Sequence, residues 1–168
     1  MSFVNFSDLP DTARVWIFGA ENPLDSSQVQ KLTENMGLFL EQWTAHKSEL
    51  NPSWELRLNQ FIVVGLDESM LAASGCSIDS MVQNLKNFES AIGANIVGTS
   101  LKVFYRDENE AIQCVGRAEF KQLVENGSVN EETVVFNNMI QTAADLRQNR
   151  WEIPMQESWH MQAFGVLV

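Results

Sequence analysis

The sequence predicts an α+β protein, and three observations support that prediction. Short apolar segments rich in β-branched and aromatic residues alternate with two long amphipathic stretches in the first half of the chain. The second half contains more strand-like segments around short helical ones. Turn and capping residues separate the segments throughout. The 168 residues are enough for one domain or for two small, closely packed ones.

The first half is predicted to follow the order βαββα. Asp25 and Gln28 match a helix capping box, and the apolar segment 61–66 (FIVVGL) is typical of a central strand. With a further strand through Tyr105, this order fits a split βαβ, ferredoxin-like unit. The alternative is a smaller N-terminal α/β layer followed by a second unit after Gly98. The predicted elements are strands at 14–20, 54–58 and 61–66 and helices at 26–46 and 77–92.

The second half is predicted to follow the order ββαβ with a weaker final helix. The tail from Trp151 shows no clear period. We therefore expect an α/β unit at 1–98 and a small α+β unit at 99–168 packed against it, with one continuous domain as the alternative. The predicted elements are strands at 101–105, 111–115 and 133–136 and helices at 118–126 and 140–149.

The composition argues against several partners. A net charge of -11 repels phosphate backbones and anionic lipids, so we expect neither a nucleic acid nor a membrane partner. The segment Met1–Phe6 lacks the positive and apolar regions of a signal peptide, and no apolar run approaches a membrane span. We therefore expect a cytoplasmic protein in which Cys76 and Cys114 are free thiols. We expect no metal and no cofactor.

The segment Gly93–Ser100 has the glycine spacing of a phosphate-binding P-loop. Thr99 stands where that loop needs a lysine, and the segment ends a predicted helix instead of opening one. Neither the charge nor the cradle of backbone N–H groups is therefore expected here. The motif does not support ATPase activity.

One candidate site surrounds Cys76, just ahead of a predicted helix, where the helix dipole favours a thiolate. No base is placed beside this thiol. His46, at the end of the first helix, is expected on the opposite side from the start of the second helix, so only His160 is left as a candidate base. The structural alternative is that Ser77 caps the helix and Cys76 is a small buried residue. The carboxylates of Glu21, Asp67 and Glu68 suggest a metal site, and the competing interpretation is an acidic loop exposed to solvent. The predicted ligand-binding residues are Ser74, Cys76, Ser77, Asp79, Ser80, Asp67 and Glu68, with Cys76 and His160 as catalytic candidates.

A second candidate site is aromatic. Tyrosine and tryptophan combine an apolar body with a polar edge, which suits an exposed peptide-binding surface. The competing interpretation is that each of these side chains lies in the core. The predicted peptide-binding residues are Phe104, Tyr105, Trp151 and Trp159.

Four segments together resemble an uncharacterised family of short bacterial proteins whose members are often labelled "ABC transporter ATPase". An ABC ATPase needs a lysine-bearing P-loop, a signature motif and a much longer domain, which this sequence lacks. The resemblance therefore implies no mechanism. The segments are Trp43–His46, Ser74–Ser80, Glu119–Leu123 and Ser158–His160.

Residues 103–136, with Trp151, are similar to the short GYF-type domains of bacteria. The similarity rests on Phe104-Tyr105, a polar turn, and the spacing of Phe120, Gly127 and Val135. It implies an aromatic surface for proline-rich ligands, although the Gly-Tyr-Phe triplet itself is missing. The leading expectation is a non-enzymatic cytosolic binding or adaptor protein with a peptide or protein partner. The alternative is a small enzyme or small-ligand binder that uses the Cys76 loop.

Overall fold

The first half of the chain forms a three-stranded sheet covered by two long helices. A computed structural model describes residues 4–46, 51–68 and 73–165. The elements are β1 (Arg14–Gly19), α1 (Ser26–His46), β2 (Asn51–Arg57), β3 (Phe61–Asp67) and α2 (Gly75–Ile92). The strands are antiparallel in the order β1-β3-β2, and both helices pack on one face. No helix within these described ranges is long and apolar enough to cross a bilayer.

The second half forms a four-stranded antiparallel sheet with short helices. A 3-10 helix, Val97–Leu101, leads into it from α2. Its strands pair in the order β5-β4-β6-β7. The elements are β4 (Val103–Arg106), β5 (Ile112–Val115), α3 (Arg117–Glu125), β6 (Val134–Phe136), α4 (Ala143–Arg147), β7 (Glu152–Pro154) and α5 (Trp159–Phe164). The α+β prediction is confirmed, and the tail without a clear period contains β7 and α5.

The ferredoxin-like prediction is wrong in its fourth strand. That fold would place β4 beside β1, whereas β4 pairs with β5 and β6 in the second sheet. Segment 141–143 lies along β1 instead: the Val15 N–H donates to the Gln141 carbonyl, and the Ala143 N–H to the Ala13 carbonyl, both at 2.9 Å. These bonds satisfy backbone groups that an unpaired strand would leave open. Strand β4 thus belongs to the second sheet, and the division of the chain into two units stays a prediction.

The register of the strands defines two opposite ends of the first sheet. Gly19 pairs with Phe61 at one end, here called the Gly19 end. Asn51 pairs with Asp67 at the other, here called the Asp67 end. Helix α1 leads from β1 to β2, so it runs from the Gly19 end to the Asp67 end. Helix α2 follows β3 and returns to the Gly19 end, where the Glu21 N–H donates to the Asn95 carbonyl at 2.9 Å.

Strand β3 has both faces buried, as its apolar sequence predicts. Ile62, Val64 and Leu66 face the core beneath the two long helices. Phe61 and Val63 face a second core on the other side of the sheet. This second core joins β1 and β3 to side chains of the second half, namely Phe104, Phe136, Ile140, Ala143, Leu146 and Trp151. The boundary at residue 98 stays a prediction, and side chains from both sides of it share this core.

Candidate functional site

The segment Ser74–Ser80 caps and opens α2. Ser74 is the N-cap, and its Oγ accepts a hydrogen bond from the Ser77 backbone N–H at 3.1 Å. The prediction that Ser77 caps this helix is therefore wrong, because the helix begins at Gly75. Ser80 Oγ donates to the Cys76 carbonyl at 2.9 Å. The hydroxyl groups of this segment thus serve the first turns of the helix.

Cys76 is exposed, so the prediction that it is a small buried residue is wrong. Asp79, on the next turn, is also exposed. Glu68 Oε2 accepts a hydrogen bond from the Ala73 N–H at 2.9 Å, which ties the start of α2 to the end of β3, where Asp67 lies. Ligand binding or thiol chemistry at this segment stays a prediction.

The two ends of the first sheet separate groups that the sequence places together. Glu21 lies after β1 at the Gly19 end, whereas Asp67 ends β3 and Glu68 follows it at the Asp67 end. The hypothesis of one metal site shared by these three carboxylates is therefore wrong, because antiparallel strands finish at opposite ends of a sheet. Within the described residues, no three His, Cys, Asp or Glu side chains are grouped to hold a metal ion.

The histidines also differ from expectation. Helix α1 ends with His46 at the Asp67 end, where α2 begins, so the expected separation of His46 from the start of α2 is wrong. The side chain of His46 lies outside the described residues. His160 lines a cavity with Ile96 and Val97, which follow the far end of α2. An 18-residue helix spans about 27 Å at 1.5 Å per residue, so Cys76 and His160 are not brought together.

The predicted aromatic surface is wrong for three of its four residues. Phe104 is buried, Tyr105 is 9% exposed and Trp151 is 5% exposed. Phe104 packs in the second core, and Tyr105 packs in a third core with Phe120 and Val135. Trp151 packs edge-on against Phe61 of the first sheet, with ring centroids 5.0 Å apart. Phe104 and Trp151 join the two halves, Tyr105 packs within the second half, and Trp159 is half-buried at a cavity.

That cavity lies where the two halves meet at the Gly19 end, and we call it the junction cavity. Its volume is about 170 Å³. It is bordered by the end of β1, the 3-10 helix, the start of α3, the segment after β6 and the start of α5. The lining residues are Ile17, Phe18, Gly19, Ile96, Val97, Thr99, Ser100, Lys102, Arg117, Phe136, Asn138, Met139, Trp159 and His160.

Tight local packing shapes the wall of the junction cavity. Thr99 is buried, and its hydroxyl donates to the Gly19 carbonyl at 2.6 Å. A Cβ atom at Gly19 would lie 2.5 Å from the Phe104 ring, so this close approach requires glycine. Thr99 therefore has a structural role at the position where a P-loop would carry its lysine.

Both charged side chains that line the junction cavity are basic. The chain has 22 acidic and 11 basic residues, yet Lys102 and Arg117 line the cavity and no carboxylate does. Lys102 Nζ lies 2.7 Å from Glu21 Oε1, and this hydrogen bond lowers the pKa of Glu21 and raises the pKa of Lys102. Arg117 forms no ion pair with a carboxylate in the described part of the chain. Arg117 is an exposed residue, and its guanidinium is the unpaired positive charge of the described lining.

Trp159 carries a buried donor at this cavity. Its indole Nε1–H finds no acceptor among the residues that the structure describes. The Arg117 guanidinium carbon lies 5.5 Å from the centre of the Trp159 ring, a cation–π contact. Leaving such a donor unpaired costs about 1–3 kcal/mol.

His160 adds a neutral ring next to Trp159, with centroids 3.9 Å apart in a stacked arrangement. The side chain is 1% exposed, and its Nδ1 lies 2.7 Å from Ser158 Oγ. Burial, and secondarily the nearby Arg117 charge, lower the pKa of His160 to about 4. His160 is therefore uncharged near pH 7 and adds no positive charge to the cavity.

The sequence points to Trp159 and His160 but not to the cations beside them. Each was predicted for a different role, one in a peptide surface and one in catalysis, and the structure places both on one cavity. Lys102, Arg117 and Asn138 were missed. They come from three different segments of the second half, and no spacing in the sequence links them.

The chain was also compared with known proteins. No protein-family model, no curated protein and no solved structure matches it. The interpretation of the junction cavity therefore rests on its own geometry.

Proposed function

We propose that this protein is a non-enzymatic binding protein whose ligand carries an anionic group into the junction cavity. The observation that supports the proposal is the charge of the lining: two basic side chains and no carboxylate, in a chain of net charge -11. A cationic concave site in an otherwise acidic surface concentrates anions locally.

The lining offers hydrogen-bond donors suited to a carboxylate or phosphate group. Arg117 presents a planar fork that matches two oxygens, and Trp159 supplies a further N–H. Asn138 Oδ1 accepts a hydrogen bond from Trp151 Nε1 at 2.8 Å, so the other polar group of this amide is its NH₂, also a donor. This donor-rich set favours holding an anion.

Thermal unfolding in sodium acetate and in sodium phosphate tests the proposal. A ligand that binds only the folded state raises the melting temperature of the protein by an amount that grows with the logarithm of 1 + [ligand]/Kd. We expect a rise of this form for the unmodified protein at constant ionic strength, set with sodium chloride. Arg117→Gln should weaken binding at least tenfold, because it removes a charge-assisted bidentate donor.

The matched control is Lys121→Gln, which removes one positive charge from an exposed position on the same helix α3. This variant should bind acetate and phosphate as the unmodified protein does. If neither anion raises the melting temperature, or if both substitutions have the same effect, the junction cavity is not an anion site.

A further inference from the structure

The junction cavity combines an apolar lining with a cationic rim. We propose that its ligand is the C-terminal residue of a protein partner, with an apolar side chain and a free carboxylate. This inference rests on the proposed function and adds the class of the ligand. In a C-terminal residue, the carboxylate and the side chain leave the same carbon atom. One residue can thus reach both Arg117 and the apolar wall.

The size of the cavity limits what enters it. Its volume of about 170 Å³ is smaller than that of a typical site for a whole small molecule. Cavities of about 150 Å³ hold one benzene-sized group. The lining side chains of Ile17, Phe18, Ile96, Val97 and Phe136 are apolar. One apolar side chain therefore fills the cavity, and the rest of the ligand lies outside.

Two large apolar side chains in segments that border the cavity are exposed. Leu101 is 71% exposed and lies between the lining residues Ser100 and Lys102. Met139 is 67% exposed and is itself a lining residue. The Arg117 Nε–H donates to the Leu101 carbonyl at 3.3 Å, which holds the cation next to this rim. Exposed apolar groups in the segments that border a site suit contact with a larger partner, and a free inorganic anion would leave them uncovered.

Charge complementarity favours a chain terminus over an acidic side-chain cluster. The cavity has one unpaired cation, Arg117, whereas the surrounding protein carries a net charge of -11. A single carboxylate matches the one cation at Arg117. A partner with basic residues upstream of its terminus matches the negative charge of the surrounding protein. Capture of a C-terminal carboxylate by converging donors is a recurrent mode of peptide recognition.

Fluorescence polarisation with labelled octapeptides tests the inference. The probe is a peptide of glycine, serine and lysine that ends in leucine, made with a free carboxylate and as its C-terminal amide. We expect the free acid to bind at least tenfold more tightly than the amide. Arg117→Gln should abolish this difference, whereas Lys121→Gln should preserve it.

Two further arms separate the inference from the proposed function. The variant Leu101→Ser, at an exposed position outside the lining, should weaken binding of the peptide several-fold and leave acetate binding unchanged. N-acetyl-leucine, a small molecule with the same end group, should bind more weakly than the peptide. Equal binding of acid and amide, or of peptide and N-acetyl-leucine, overturns the inference while acetate binding still supports an anion site. Loss of acetate binding as well overturns both.

Discussion

At the scale of single residues, His160 links the site to pH. Burial and the Arg117 charge lower its pKa from 6.5 to about 4 in the folded protein. Between these two values the unfolded chain binds a proton that the folded chain does not. The contribution of His160 to the free energy of unfolding is therefore fully present above pH 6.5. It decreases by about 3 kcal/mol as the pH falls towards 4.

The measurement is urea unfolding at several pH values between 7 and 4, compared with His160→Gln. The glutamine side chain has no proton to gain, so this variant should lose less stability over the same range. Because carboxylates titrate alike in both proteins, the difference isolates His160. Parallel stability curves for the two proteins would show that His160 is not buried in its neutral form.

The residue scale is also where the sequence predicts least. Trp159 and His160 attract attention because both residue types often serve binding or catalysis. Lys102 precedes a strand and Arg117 starts a helix, and basic residues at such positions are usually solvated. Only the packing of the two halves turns them into neighbours. Chemistry that depends on long-range contacts leaves no periodic signal in the chain.

At the scale of elements, most of the sequence predictions are confirmed. The capping box of α1 forms: the Gln28 N–H donates to Asp25 Oδ1 at 2.8 Å, and the Asp25 N–H to Gln28 Oε1 at 3.0 Å. The start of α2 was predicted less well. Ser74 and Ser77 are three residues apart, and either hydroxyl suits a cap. Gly75 and Cys76 tolerate a helical conformation, so helix propensity does not decide whether Ser74 or Ser77 is the N-cap.

The cap of α2 supplies a prediction of its own. Ser74→Ala removes the side-chain acceptor for the Ser77 N–H and should lower the free energy of unfolding by about 1 kcal/mol. Ser80→Ala is the matched control, since its exposed hydroxyl bonds only within the helix. Urea denaturation measures both. Equal effects of the two substitutions would argue that Ser74 does not cap the helix.

At the scale of the whole molecule, the second core makes the two halves depend on each other. Phe61 from β3 contacts three aromatic rings of the second half, those of Phe104, Phe136 and Trp151, at centroid distances of 4.8–5.1 Å. The sequence predicts that β3 is buried on both faces but not what covers the second face. That information lies in long-range packing, which local patterns do not contain.

Phe61→Ala should therefore destabilise both halves in one transition, by about 3–5 kcal/mol. Circular dichroism at far-ultraviolet wavelengths and tryptophan fluorescence should report the same unfolding midpoint, because both halves lose a shared core. Leu38→Ala, at an exposed position of α1, serves as the control and should change stability little. Two separate transitions in the unmodified protein would contradict the shared core.

The central claim is that a carboxylate binds at Trp159 in the junction cavity. The most direct test is the ¹⁵N–¹H spectrum of the five tryptophan indoles during titration with the leucine-ending peptide, with Trp159→Phe assigning one resonance. We predict a saturable downfield shift of the Trp159 indole proton as it gains an acceptor. Trp43, whose indole N–H is also buried without an acceptor among the described residues, should not move. An unchanged Trp159 resonance, or equal shifts at Trp43 and Trp159, would contradict the account.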